Sequence, residues 1–111
     1  MRAKQKAEHI SCLEAVDVRW KSDGSKVLAD WGSLLEIWPL GGVIHVGQRI
    51  PIGTDIVVGL PNVKISAKVQ SVQHDEFGYY VQVRVKKPWF PDLYQPQYQL
   101  PPQAAKHLRA S

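Results

Sequence analysis

An all-β barrel or sandwich of six antiparallel strands is the fold class this sequence predicts, with the small antiparallel β-barrel favoured, and three observations predict it. Apolar, β-branched runs recur about every 8 to 12 residues with turn chemistry between them. Several runs alternate apolar and polar residues at the period of a half-buried strand. No run is followed by the long helical pattern that a parallel sheet requires. Closure into a barrel is expected because it removes exposed edges from so small a sheet.

In chain order, residues 1–10 are polar and without a sustained period, and are read as a flexible basic arm, or a short helix with Arg2 and Lys6 four apart on one face, and an arm can close over a ligand. The domain proper is expected over residues 11–95 and a tail over 96–111. From Cys12 to Trp20, Leu13, Ala15, Asp17 and Arg19 fall on one side, and Cys12, Val16, Val18 and Trp20 on the other. Asp23-Gly24 has the chemistry of a tight hairpin turn. Lys26 to Ile37 returns as a strand, with an interruption expected at Asp30–Ser33, where Gly32 suggests a bulge. Pro39-Leu40-Gly41-Gly42 is expected to stop regular pairing, because proline lacks the donor N–H and glycine reaches backbone angles closed to other residues.

Val43–Val46 resumes as a strand, Pro51–Thr54 turns, and Asp55–Leu60 and Val63–Val72 follow. In the last of these, Lys64, Ser66, Lys68 and Gln70 alternate against Val63, Ile65, Ala67 and Val69, the pattern of a strand wet on one side. His74–Gly78 closes a hairpin onto Tyr79–Val85, whose Tyr79, Val81, Val83 and Val85 point inward. The Pro- and aromatic-rich Pro88–Pro102 is read as an extended segment laid on the barrel, because Trp89, Phe90, Leu93 and Tyr94 need burial. Gln103–Arg109 is read as a short terminal helix.

The 111 residues, 44% of them hydrophobic, suffice for one compact domain. No apolar run reaches the roughly 20 residues of a membrane-spanning helix, and the basic start lacks the apolar core of a secretion signal. A single cysteine, Cys12, rules out an internal disulfide framework and fits a reducing, cytoplasmic compartment. The formal charge of +4 is a mild bias. It gathers at Arg2, Lys4 and Lys6, at Arg84, Lys86 and Lys87, and at Lys106 and Arg109, clusters able to meet phosphates or simply to keep the surface soluble.

Catalytic chemistry is thin. His9, His45, His74 and His107 show no metal-ligand spacing with cysteines or acids, and Asp55, Asp75, Glu76 and Asp92 accompany no nucleophile, so neither an enzyme nor a metal or cofactor site is expected. Trp20 and Trp31 flank a hairpin and are read as core, which leaves Trp38 and Trp89 as the tryptophans of functional interest. A barrel binding single-stranded nucleic acid would align Lys64, Lys68 and Arg84 beside exposed aromatics. With no outward aromatic expected among them, that reading ranks second.

The glycine corner, IPIGT, DIVVGL, VKISAKVQSV and GYYVQVRV, in that order over residues 10–95, resemble the PilZ domain, a family of bacterial receptors for cyclic di-GMP, a resemblance that implies a split β-barrel. CLEAVDVRW and the ending GYYVQVRV…YQPQYQL look like a subgroup of single-domain PilZ proteins. The resemblance implies cyclic di-GMP as ligand, held by an Arg-x-x-x-Arg motif ahead of the first strand and an Asp/Asn-x-Ser-x-x-Gly motif at the corner. Aligned on IPIGT, the second motif falls on Glu36–Gly41 with only Gly41 intact. Glu36 carries its carboxylate on a longer arm, and Trp38 puts an indole, donor only, in the hydroxyl position. The first motif falls on Arg2–Lys6, where Lys6 lacks the planar fork of arginine, and a glycine frequent in the family's last strand is Gln82. The implied nucleotide site (Arg2, Lys6, Glu36, Trp38, Gly41) is degenerate, with weak or no cyclic di-GMP binding and a protein partner in a signalling role.

Overall fold

The computed structural model describes residues 9–97 and Gln99. It contains six strands: β1 (Ile10–Lys21), β2 (Val27–Trp38), β3 (Gly41–Val46), β4 (Asp55–Leu60), β5 (Val63–Asp75) and β6 (Gly78–Arg84). They close into a barrel in the order β1-β2-β3-β6-β5-β4, each neighbouring pair antiparallel. Two meanders, β1-β2-β3 and β4-β5-β6, therefore join along two seams, β3 on β6 and β1 on β4. Among the described residues no helix is long and apolar enough to cross a membrane.

The alternation in the sequence becomes the barrel wall. On β1, Cys12, Glu14, Val16, Val18 and Trp20 are buried while Leu13, Ala15 and Arg19 face out. The interior is filled by branched aliphatics, among them Val16, Val18, Leu34, Ile44, Ile56, Val58, Val69, Val81 and Val83. Ile50, on the β3–β4 connection, joins this core near the far ends of β2 and β3, and Trp89 and Phe90 of the tail join it near the β2–β3 turn. Among the described residues one charged side chain is buried on the apolar side: Glu14, 7% exposed, whose Oε1 accepts the Tyr94 hydroxyl at 3.0 Å. Beside it Cys12 donates to the Leu34 carbonyl at 3.6 Å. Burial, with the Glu14 charge adding to it, pushes the thiol up to about 12.

Several expectations are corrected. β2 runs through Asp30–Ser33 without interruption, and the irregularity comes later, between Leu34 and Glu36. Gly32 serves close packing instead of a bulge: an added Cβ would collide with the His45 carbonyl oxygen and stand 2.7 Å from Val46 Cγ1. Gly41 and Gly42 do not stop pairing; they are the first residues of β3, bonded to β2 and β6, and neither has positive φ. The chain does reverse at Asp23-Gly24, with Ser25 in the left-handed region at φ 64°. β5 continues past Val72 to Asp75, so only Glu76 and Phe77 separate it from β6. Trp31 is 74% exposed and not core, because it sits opposite Asp17 on the outward phase of the pleat. Leu93 also faces solvent, since the tail buries Trp89 and Phe90 and then turns outward before the half-buried Tyr94. The helix read at Gln103–Arg109 lies outside the described residues.

Gly32→Ala should lower stability by about 1–3 kcal/mol, since the methyl meets backbone that cannot move aside without parting β2 from β3. The measurement is the urea midpoint at unchanged m-value. A midpoint equal to the parent's would mean that the two strands separate locally at little cost.

Candidate ligand-binding corner at Trp38

Two bulges decide which side chains meet on the outer face. Before the irregularity in β2 the outward residues are Trp31 and Ser33, and after it they are Glu36 and Trp38, so one extra residue switches the phase. β5 does the same between Val69 and Ser71, turning the outward set from Lys64, Ser66 and Lys68 to Ser71 and Gln73. The register then places three rows across β2, β3, β6 and β5: Trp38–Gly41–Arg84–Lys68, Glu36–Val43–Gln82–Ser71, and Ser33–His45–Tyr80–Gln73. The last two rows border an open hollow of about 270 Å³ lined by Val43, Ser71, Gln73, Tyr80 and Gln82.

Trp38 stands at the end of β2, where Pro39-Leu40 makes a two-residue turn into β3. Its indole lies over Gly41: a Cβ there would come within 2.9 Å of Nε1 and 3.0 Å of Cε2. On the inner side of the same strand Trp89 fills the space over Gly42, its Cζ2 3.2 Å from where a Cβ would be. The Trp89 Nε1–H donates to the carbonyls of Trp38 (2.9 Å) and Gly41 (3.1 Å), and its backbone N–H donates to Pro39 O at 3.0 Å. The glycine pair is thus a seat for two indoles, one outside and one inside the wall.

His9, immediately before β1, stacks on Trp38 with ring centroids 4.5 Å apart and planes within 14°. Its Nε2 is 3.5 Å from Glu36 Oε1. Of the residues that the sequence singled out, Glu36, Trp38 and Gly41 come together here, while Arg2 and Lys6 lie outside the described residues. The expectation that no outward aromatic accompanies the strand cations is corrected, because Trp38 shares its row with Arg84 and Lys68. Lys68 pairs with Asp55 at 3.1 Å on an exposed surface, and Arg84 has no carboxylate within 4 Å among the described residues.

No family model, curated protein or solved structure that was searched matches this chain. The corner is therefore read from its own side chains.

A second polar group surrounds Asp75 at the β5–β6 turn. Its carboxylate accepts from the backbone of Phe77 (2.8 Å) and Gly78 (3.0 Å) and from the Tyr80 hydroxyl (2.9 Å), with His45 Nε2 at 3.7 Å. The Phe77 N–H foremost, with Tyr80, Gly78 and His45, holds Asp75 below the usual carboxylate range. Burial first and then Asp75 push Tyr80 up. The Asp75 carboxylate thus ties the β5–β6 turn to Tyr80. Among the described residues no three His, Cys, Asp or Glu side chains are placed to hold a metal ion.

The sequence pointed to Trp38 and Gly41 but missed His9 as the residue that covers the indole. The signal available was only its position one residue ahead of a strand, too weak to name a partner.

Proposed function

We propose that this chain is a non-catalytic binding module of PilZ type, cytoplasmic, with a degenerate cyclic di-GMP site and a signalling role exercised through a protein partner. The observation that carries this reading is Trp38: an indole backed by Gly41 and covered by His9 stands where a nucleotide-binding corner would offer a small hydroxyl. The Glu36 carboxylate beside it is mostly covered and faces His9. Each charge-assisted hydrogen bond lost from such a site costs roughly 1.5–3 kcal/mol. Two or three losses therefore remove much of the roughly 8 kcal/mol of a micromolar complex. Trp31 and Phe77, exposed at 74% and 69%, are the aromatics that a protein partner would meet.

Calorimetric titration of cyclic di-GMP into the full chain should give millimolar binding or none, and micromolar binding would overturn the reading. Trp38→Ser combined with Lys6→Arg should bring binding into the measurable range. If it does not, the alignment of Glu36–Gly41 with the nucleotide motif is wrong.

A further inference from the structure

We propose that the Trp38 corner binds single-stranded nucleic acid, with a base stacking on the indole in exchange for His9 and phosphates meeting Arg84, Lys86 and Lys87. The proposal goes beyond the PilZ reading and does not depend on it, since it rests on the placement of these side chains alone.

The first observation is the platform. Trp38 has one face against the strand at Gly41, and its other face already carries a planar heterocycle at stacking distance and nearly parallel. A nucleobase is a larger ring of the same kind, and base–aromatic stacking accepts any base because each has a π-face. His9 is half exposed and precedes β1, which begins at Ile10, so its ring can exchange for a base without breaking the pairing of β1.

The second observation is charge placed around that platform. Arg84 is the direct cross-strand partner of Gly41. The bond from the Val85 N–H to the Leu40 carbonyl (3.0 Å) and that from the Trp89 N–H to Pro39 (3.0 Å) bring the exposed Lys86 and Lys87 alongside the Pro39-Leu40 turn. Among the described residues none of these three cations has a carboxylate within 4 Å, while the acids nearest in the register are already engaged, Glu36 with His9 and Asp55 with Lys68. Three cations with no carboxylate within 4 Å among the described residues, beside a stackable indole, suit a ligand that alternates phosphates with aromatic rings. In the next row Gln82 and Ser71 supply amide and hydroxyl groups at the rim of the hollow for base edges or sugars. An acidic protein could use the cations but would have no need of the indole, and the test turns on that difference.

The test is fluorescence anisotropy of a labelled 12-nucleotide single strand, as DNA and as RNA, with the full chain at 50 mM salt and above. Wild type should bind, and Trp38→Leu should weaken binding roughly ten-fold, with Trp38→Phe restoring most of the loss. Arg84→Gln with Lys86→Gln and Lys87→Gln should flatten the dependence of log affinity on log salt by about 2, at roughly 0.7 per phosphate contact. Thermal melts establish that each variant is folded. Absence of binding at 50 mM salt overturns the proposal. So does a Trp38→Leu variant, folded, that binds as well as wild type, or equal retention of a poly-glutamate chain. Cyclic di-GMP binding at micromolar concentration, in contrast, would overturn the function proposed above and leave this inference standing on the oligonucleotide result.

Discussion

Trp89→Ala should cost about 3–5 kcal/mol of stability, the range for truncating a fully buried tryptophan. Trp89 has no exposed surface, packs over Gly42 within the core, and its indole donates two of the hydrogen bonds that hold the tail to the β2–β3 turn. Its removal opens a cavity at that turn and deprives the Trp38 and Gly41 carbonyls of their indole donor. Trp89→Phe separates the two effects: it keeps most of the ring but loses the N–H, at about 1–3 kcal/mol for buried acceptors left short of a partner. Urea denaturation followed by circular dichroism reads both. An alanine variant with the parent midpoint would show that the tail is not part of the cooperative unit.

Alkaline pH should destabilise the protein from about pH 9 upward. Cys12 is raised from 9.0 to about 12 by burial, and the half-buried Tyr94, bonded to Glu14, and Tyr80 are raised as well. Below pH 9 these groups are protonated in both folded and unfolded chains, and their contribution is fully present. Above it the unfolded chain releases protons that the folded one retains, so stability falls with rising pH until the folded groups titrate too. For Cys12 alone the interval from 9.0 to about 12 corresponds to about 4 kcal/mol at its upper end. Urea midpoints at pH 8, 9.5 and 11 should decline for wild type and decline less for Cys12→Ala. A wild-type midpoint constant to pH 11 would contradict the burial of these groups.

The strands were legible because burial follows a period of two, and the alternation of Val63–Val69 or Cys12–Trp20 appears directly in the residues. Closure was an inference from small size, and the β1–β4 and β3–β6 seams supply it. What the sequence could not show is where the period slips. The irregularity between Leu34 and Glu36 is marked by no glycine or proline, yet it decides that Glu36 and Trp38 face outward together. Gly32 looked like the bulge and proved to be a contact, because a glycine can be required by a neighbour's backbone as well as by its own angles. The same ambiguity applied at Gly41 and Gly42. Of the candidate site, Trp38 was visible as an oddity of composition. Its alignment with Arg84 and Lys68 was not, since that alignment depends on Gly41 of β3 pairing with Arg84 of β6, far away in the sequence.

The pair of indoles on either side of β3 has one more consequence. The carbonyls that Trp89 holds from inside belong to Trp38 and Gly41, the two residues that make the platform outside. The backbone beneath the platform is therefore fixed by the core, and a base stacking there as proposed would not need to supply the entropy of ordering it. Affinity at this corner should respond to substitutions at Trp89 that never touch the ligand, because the cost of arranging the surface has been transferred to folding.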